Sequence, residues 1–353
     1  MRPIHVVMAA ALAACVRPGE ERARDELDVG HAAAADAIVD VTDGLAVVRA
    51  LSDHALDLWC SAPVIELSLT GDPGDWTIVA QNVVADAELV IDGRTVAREP
   101  GDRRTVASFR VSLDAGPHAL RIAPPDASIT APFRAVAMAD IQTALPVVNE
   151  MFAKINETGA RFVIAMGDIT DRGDLDEYEL FDRQLFTLDI PFYTTLGNHE
   201  LWGGTDRFFA RYGRASFHFD FKGTAFTFAD SGDAGLDPLV ETWVDGWLAQ
   251  SRDQPHVFLT HIPPIDPVGI RYGAFRSNRD GYRLLARLAE AKVDLQLYGH
   301  IHTLIEYEDA GIPAYISGGG GAQPMRGDGI DRHFLVIDFE DNQQTVNVVR
   351  VDD

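Results

Sequence analysis

The chain has 353 residues, 46% of them hydrophobic and 24% charged, with a formal net charge of −24. That is enough chain for two ordinary domains with cores of their own. The acidic balance argues against general binding to nucleic acid or anionic lipid, which are polyanions, and any phosphate substrate would need a local source of positive charge.

At the N-terminus, Arg2 precedes an apolar stretch over 4–14. It has the length of a signal-peptide core and is too short to span a bilayer. It ends in Leu12-Ala13-Ala14-Cys15, small residues before a cysteine, which resembles the lipobox of bacterial lipoproteins. That resemblance implies a signal segment over 1–15 and a lipid on Cys15. It further implies export across the inner membrane of a bacterium, to a lipid-anchored position facing the periplasm or cell surface. Ordinary secretion with cleavage nearby and a plain apolar tail are the alternatives. With Cys15 lipidated, only Cys60 remains and no intrachain disulfide can form. Cys60, beside Trp59 in an apolar run, reads as a buried thiol.

Residues 16–36 start polar and lack aromatics, and read as a flexible tether. Over 37–132, short apolar runs (46–48, 64–69, 76–79, 87–91, 109–113) alternate with turn residues. They predict a small all-β domain, a sandwich of immunoglobulin or fibronectin III type, with a hairpin turn at Asp92-Gly93. It carries no cluster of His, Cys or paired carboxylates, so its expected role is structural or substrate-framing. Pro124-Pro125 and Pro132 mark its end.

Residues 133–353 alternate strand and helix patterns, the signature of an α/β fold. Strands are expected over 135–139, 162–166, 192–196, 225–229, 257–260, 295–298 and 314–317, with closing strands over 334–339 and 345–351. Helices are expected over 145–155, 175–185, 205–212, 240–249 and 282–291, the last N-capped by Asp280.

Five segments of this part place a metal-ligating or proton-transferring side chain just after an apolar run. They are Ala139-Asp140-Ile141-Gln142, Gly167-Asp168-Ile169-Thr170-Asp171-Arg172-Gly173, Gly197-Asn198-His199-Glu200, Leu259-Thr260-His261 and Gly299-His300-Ile301-His302. Loops gather at strand ends in α/β folds, and sites form there. Gly167, Gly197 and Gly299 permit sharp turns and close backbone approach. His300 and His302 point the same way if their segment stays extended. A lone Asp after a strand is usually a cap, and a lone His is usually packed or at the surface. Five such segments in order supply the Asp, Asn and His that two neighbouring metal ions need.

This order of segments resembles the calcineurin-like metallophosphoesterase family over roughly 134–321. The resemblance implies a four-layer αββα sandwich holding two divalent metal ions, of Mn, Fe, Zn or Mg. It implies hydrolysis of phosphate mono- or diesters by attack of a metal-bridging hydroxide. By motif, Asp140, Asp168 and His302 would hold the first ion, and Asp168 would bridge to a second completed by Asn198, His261 and His300. His199 would be the general acid, Asp171 the carboxylate that orients it, and Arg172 a phosphate contact. Gly318-Gly319-Gly320-Gly321 resembles the glycine-rich stretch near the end of these domains. The family's first motif usually reads Asp-x-His, where this chain has Asp140-Ile141-Gln142. Gln142 as a ligand offers only an amide oxygen, a harder donor that favours Mn²⁺ or Mg²⁺ over Zn²⁺. Purple acid phosphatases, which also follow an N-terminal β-domain, carry a tyrosine at the position of Asp171, so no purple Fe(III) chromophore is expected. The expected partner is a phosphoester small molecule, with no nucleic acid and with membrane contact only through Cys15. The rival reading is a surface-anchored, non-catalytic binding protein with a degenerate metal site, for which Gln142 is the main support. Loops over 202–208, 263–275 and 324–331 are expected to shape the pocket. Trp202, Tyr272 and Phe275 would there stack on a base or pack within the loops.

Overall fold

The computed structural model describes residues 19–34, 37–269, 273–325 and 330–352. The signal segment, Cys15 and Tyr272 lie outside the described residues. Two mixed sheets organise the C-terminal part. One has the strand order Phe192–Thr194, Val163–Ala165, Phe133–Met138, His333–Glu340, Gln343–Arg350. The other runs Phe217–Phe221, Thr224–Ala229, His256–Thr260, Leu295–Tyr298, Ile312–Ser317, Leu304–Asp309. In the five-stranded sheet the first two pairs are parallel and the last two antiparallel, and in the six-stranded sheet the inner pairs are parallel and both edge pairs antiparallel.

Side-chain alternation along each strand sets the layers. Ala135, Ala137, Ile164, Tyr193, Leu335 and Ile337 share one core with Phe226, Phe228, Val257, Leu259, Leu295 and Leu297 of the other sheet. The alternate residues Val136, Met138, Val163 and Phe192 face outward. They meet Phe152, Phe181 and Phe208 of the helices Asn149–Asn156, Leu175–Leu185 and Asp206–Tyr212. On the far side Phe258 meets Val240, Val244, Leu284 and Leu288 of the helices Pro238–Gln250 and Asn278–Glu290. The result is helix, sheet, sheet, helix. Strands buried on both faces read as unbroken apolar runs, which made them visible in the sequence.

Details differ from expectation. The helix expected over 145–155 splits into a 3-10 turn, Gln142–Val147, and the helix Asn149–Asn156, because Pro146 cannot donate within a continuous helix. The last helix starts a turn early. Its cap is Ser277, whose side chain accepts from Asp280 N, so Asp280 lies in the first turn. Phe217–Phe221 and Leu304–Asp309 are antiparallel edge strands beyond those expected.

Residues 31–123 form two further sheets. A six-stranded sheet has the order His31–Ala34, Ala37–Val41, Ile65–Gly71, Gly116–Ala123, Glu88–Ile91, Arg94–Val96. A four-stranded sheet has the order Ala46–Ser52, Ala55–Cys60, Gly74–Gln81, Val106–Leu113. The turn at Asp92-Gly93 joins Ile91 to Arg94 with φ of 50° and 79°, as a two-residue hairpin requires. One pair, Ala55–Cys60 with Gly74–Gln81, is parallel, because the chain visits the other sheet through Ile65–Gly71 before it returns. An immunoglobulin or fibronectin III sheet has only antiparallel pairs. These sheets dock on the α/β part. Asn82 donates through Nδ2 to Phe192 O (2.9 Å) and accepts from Phe192 N at Oδ1 (2.8 Å). That covers the open edge of the strand Phe192–Thr194. Ser61 Oγ donates to Tyr212 O (2.6 Å).

The tether expected over 16–36 is, from residue 19, a docked element. Gly19–Asp25 is a helix and Glu26–Asp28 a 3-10 turn. Arg22 is 2% exposed. It donates through Nε to Asp230 Oδ2 (2.9 Å) and through Nη1 to Asp233 Oδ2 (2.6 Å). Glu26, fully buried, accepts from Ser216 N (2.7 Å). Two of the charges that made this segment look solvated, Arg22 and Glu26, are partnered inside the protein. Arg22→Ala would leave Asp230 buried without its guanidinium. Breaking one side of a buried pair costs about 3–5 kcal/mol. A urea unfolding midpoint equal to that of the parent would show that this helix contributes nothing to the fold.

Candidate metal centre

The loops that follow the inner strands hold the predicted residues in unusual backbone. Asp140, Gln142, Asp168 and His300 have φ of 64°, 44°, 53° and 69°. Left-handed backbone at residues other than glycine costs of order 1–3 kcal/mol each and persists only where the surroundings enforce it. Here they do. Ile141 N and Gln142 N both donate to Asp168 O (2.9 and 3.2 Å), and His300 N donates to Asp140 Oδ2 (2.8 Å). The glycine-rich run closes behind them. Gly320 N donates to Ala139 O (2.7 Å) and Ala322 N to Asp140 O (2.9 Å). The glycines permit contact distances no side chain could share. A Cβ on Gly197 would lie 2.0 Å from Asp168 Oδ1, and one on Gly299 2.8 Å from Asp140 Oδ2.

Two groups of potential ligands result, Asp140, Asp168, His302 and Asp168, His261, His300. Within each group the ligand atoms lie within 4.8 Å of one another, and Asp168 is common to both. Asn198 joins the second, its Oδ1 being 3.1 Å from His261 Nε2. The donor chemistry fits cations. His261 Nδ1 donates to Met166 O (2.7 Å), which turns Nε2 toward Asp168 Oδ2 (3.3 Å) and Asn198 Oδ1. His302 Nδ1 donates to Gln323 O (2.8 Å), which turns its Nε2 toward Asp140 Oδ1 (3.3 Å). Asp140 Oδ1 is buried and accepts no hydrogen bond. Each of these nitrogen–carboxylate contacts needs positive charge between its atoms, which a proton on the imidazole or a metal ion supplies. Burial alone would lower the pKa of His261, but the Asp168 carboxylate outweighs burial and pushes it up to about 9. Burial likewise opposes ionisation of Asp168, yet His261 and His199 hold it well below the usual carboxylate range. Asp140 and Asp168 are both fully buried. Among the described residues only imidazoles come within ion-pair distance of either.

The other predicted residues divide. His199 lies at the rim, its Nε2 3.9 Å from Asp168 Oδ2 and its Nδ1 donating to Asp171 O at 2.5 Å. The orienting group is therefore the Asp171 carbonyl. Its carboxylate, the group expected in that role, stands back at 3.8 Å because the turn presents the backbone first. Arg172 is turned to solvent, 69% exposed, and lies against Asp171 at 3.6 Å rather than in the cage. Gln142 reaches the centre, but with its amide nitrogen inward. Nε2 donates to Asp168 Oδ2 (2.7 Å) and lies 3.2 Å from His302 Nε2. The ligand role expected of its oxygen is not the one it plays here.

Glu200 was quoted in the sequence without a function and proves central. It is fully buried. Oε2 accepts from Asp168 N (2.9 Å) and Gly197 N (2.7 Å), and Oε1 accepts from Thr170 N (2.9 Å) and Thr170 Oγ1 (2.8 Å). Burial, and then Asp168, push its carboxyl upward, and these donors counter them. Four donors on an acceptor-only group tie the loops after two strands together. Phe275 is 5% exposed and packs in the core. Trp202 is 57% exposed and lies against His199, with ring centroids 4.4 Å apart.

Residues 133–304 match the family model for the calcineurin-like phosphoesterases. Over 153 residues the chain is 28% identical to a protein of Arcobacter nitrofigilis named probable glycerophosphodiester phosphodiesterase GpdQ. That stretch is 40% of this chain and 56% of the relative, so the chain spans little more than half the relative's length. Among solved structures it is similar to purple acid phosphatase PPD1 from yellow lupin (Lupinus luteus) seeds. The TM-score is 0.57 and the identity 14%, over 82% of this chain and 70% of that one. At that identity the likeness concerns the fold.

Gly197→Ala forces Asp168 out of place, since the new Cβ would overlap its carboxylate. Binding of Mn²⁺, read by calorimetry, should weaken at least about tenfold, a typical penalty for disturbing what orients a ligand. The far-ultraviolet circular dichroism spectrum should be unchanged. Equal affinity in the variant would mean Asp168 holds no ion.

Proposed function

We propose that the calcineurin-like phosphoesterase domain at residues 133–304 hydrolyses phosphoesters with two divalent ions, and that diesters are its preferred substrates. The observation that carries this reading is the pair of ligand groups joined at Asp168. Asp140, Asp168 and His302 would hold one ion, and Asp168, Asn198, His261 and His300 the other. Two such ions would supply Lewis acidity toward the phosphoryl oxygens and acidify water to a pKa of about 7. Two divalent ions against two carboxylates leave the cage positive, which reconciles an anionic substrate with a chain of net charge −24.

The chain's own residues divide the remaining work. Asp171 O holds the Nδ1 proton of His199, so Nε2 faces the centre and has a proton to give when the ring is the imidazolium. That proton is placed for the leaving oxygen, a contribution of roughly 10²–10⁴-fold where the leaving group is poor. With Arg172 turned outward, no guanidinium among the described residues lies within ion-pair distance of Asp140 or Asp168 to meet the second charge of a monoester. Diesters, with a single charge, need none. The name of the Arcobacter relative agrees with that preference.

The proposal extends to location and the N-terminal part. Leu12-Ala13-Ala14-Cys15 supports a lipoprotein exported from a bacterial cytoplasm. Residues 37–132 are then an all-β domain that covers the edge strand Phe192–Thr194.

The test is a panel of nitrophenyl, bis-nitrophenyl and alkyl phosphoesters, run with added Mn²⁺ on the chain from residue 16 onward. Turnover should be lost in Asp168→Asn, and the parent should bind two ions per chain. Tight metal without turnover of any ester would favour a binding protein instead. A further variant, His199→Ala, should impair alkyl esters about 10²-fold or more and nitrophenyl esters far less, because nitrophenolate leaves without a proton. Equal losses on both would remove His199 from the role of acid.

A further inference from the structure

The indole of Trp202 is a large apolar surface beside the proposed proton donor, with more than half of it open to solvent. It belongs to neither of the α/β part's helix-facing cores. Its position is fixed rather than loose. Trp202 N donates to His199 O (3.3 Å) and Leu201 N to Asn198 O (3.3 Å), and Leu201 itself is buried. The following residue, Gly203, packs so closely on the turn at Arg172 and Gly173 that a Cβ there would lie 2.0 Å from Gly173 O. The indole tilts 32° to the imidazole of His199. An indole is wider than an imidazole, so it overhangs the ring it covers.

A leaving oxygen that takes the proton of His199 Nε2 must lie within about 3 Å of that atom. The carbon atoms attached to it then extend away from the buried cage, whose side is closed by Asp168. The apolar surface that lies against His199 and stays open to solvent is the indole of Trp202. We propose that Trp202 is the leaving-group platform of this site and selects phosphoesters whose leaving alcohol carries a flat ring next to the ester oxygen. This rests on the phosphoesterase reading above. In the step it serves, water's oxygen forms the new bond to phosphorus and the bond to the leaving oxygen breaks. That oxygen keeps the electron pair and takes the His199 proton, while the attacking water gives up one proton to solvent, from which His199 is reprotonated. Trp202 touches the departing group and exchanges no electrons or protons. Stacking of two aromatic rings is worth a fewfold to about tenfold in affinity.

A purely supporting role for Trp202 would leave the opposite trace. If the indole only held His199, its loss would resemble loss of the acid and would fall hardest on alkyl esters. The experiment therefore compares kcat/KM for phenyl and propyl esters of methyl phosphate in the full chain, in Trp202→Ala and in Trp202→Phe. The platform predicts that Trp202→Ala loses about tenfold on the phenyl ester and less than about threefold on the propyl ester, with Trp202→Phe recovering most of the phenyl rate. A loss on the propyl ester that equals or exceeds the loss on the phenyl ester overturns it, as does a Phe variant no better than Ala. A second arm needs no turnover. Phenylphosphonate should quench the tryptophan fluorescence of the parent at lower concentration than methylphosphonate does, and this difference should vanish in Trp202→Phe. Quenching that is the same for both phosphonates, or the same in parent and variant, also overturns the platform. Absence of all ester turnover with intact, Trp202-dependent quenching would instead sink the hydrolase reading and leave the binding surface standing.

Discussion

A single buried carboxylate holds the centre together. Asp168 accepts from His199 N at Oδ1 (3.0 Å) and from Gln142 Nε2 at Oδ2, and its carbonyl receives the amides of Ile141 and Gln142. Its own amide is tied to Glu200. Its polar atoms tie two loops to one point, Oδ2 and the carbonyl to 141–142 and Oδ1 and the amide to 199–200. The strained backbone of Asp140, Gln142 and Asp168 is thereby enforced jointly, since none of these residues could relax without breaking the contacts of the others. A charged group in this position, fully screened from solvent, has to be compensated by what surrounds it. The surroundings are imidazoles aimed by backbone carbonyls, which is why the arrangement suits cations rather than merely tolerating them.

The second constraint is that the ligands come from two sheets. Asp140, Asp168 and Asn198 follow strands of the five-stranded sheet, while His261, His300 and His302 follow strands of the six-stranded one. Their spacing is therefore set by how the sheets pack, and that packing is aromatic. Phe162 meets Phe219 at 6.0 Å and Phe226 at 5.6 Å, and Phe133 meets Phe221 at 5.1 Å, all nearly edge to face. Interiors packed at this density transmit displacements instead of absorbing them. Cavity-forming changes in that layer, far from any ligand, should reach the site as altered spacing between the two ligand groups. The N-terminal sheets enter the same logic, because Asn82 pairs with the edge strand that leads to Asn198 and His199.

Much of this was legible in the sequence for a specific reason. Doubly buried strands are continuous apolar runs, and each ligand follows one, so Asp140, Asp168, Asn198, His261, His300 and His302 announced themselves by position as well as by type. What escaped was whatever depends on partners distant in sequence. The Arg22 helix carries the composition of a solvated tether because its compensating charges, Asp230 and Asp233, lie some two hundred residues away. Glu200 looked like the tail of a motif, and nothing local shows that four donors converge on it. Arg172 was assigned from its motif neighbours, but an exposed side chain on a turn takes whatever direction the turn gives it. At Asp171 the carbonyl, not the carboxylate, lies nearest His199 Nδ1, since a sequence does not say whether a residue will meet its neighbour through its side chain or its carbonyl.

Gln142 shows where residue type and geometry have to be weighed together. An imidazole at this position could present only a ring nitrogen, and its other nitrogen would need a partner of its own. An amide has two faces, a donor and an acceptor, exchanged by half a turn of one torsion. With the nitrogen inward it bonds to the shared carboxylate and draws on the lone pair that Asp168 would otherwise offer to the first ion. With the oxygen inward it becomes a hard ligand, at the expense of that hydrogen bond. Either way an ion held by Asp140, Asp168 and His302 would gain less from Gln142 than from histidine, while one held by Asn198, His261 and His300 would be untouched. Gln142 would therefore weaken the two positions unequally and tilt the first toward oxygen-preferring cations. It leaves intact the residues that aim the proton of His199.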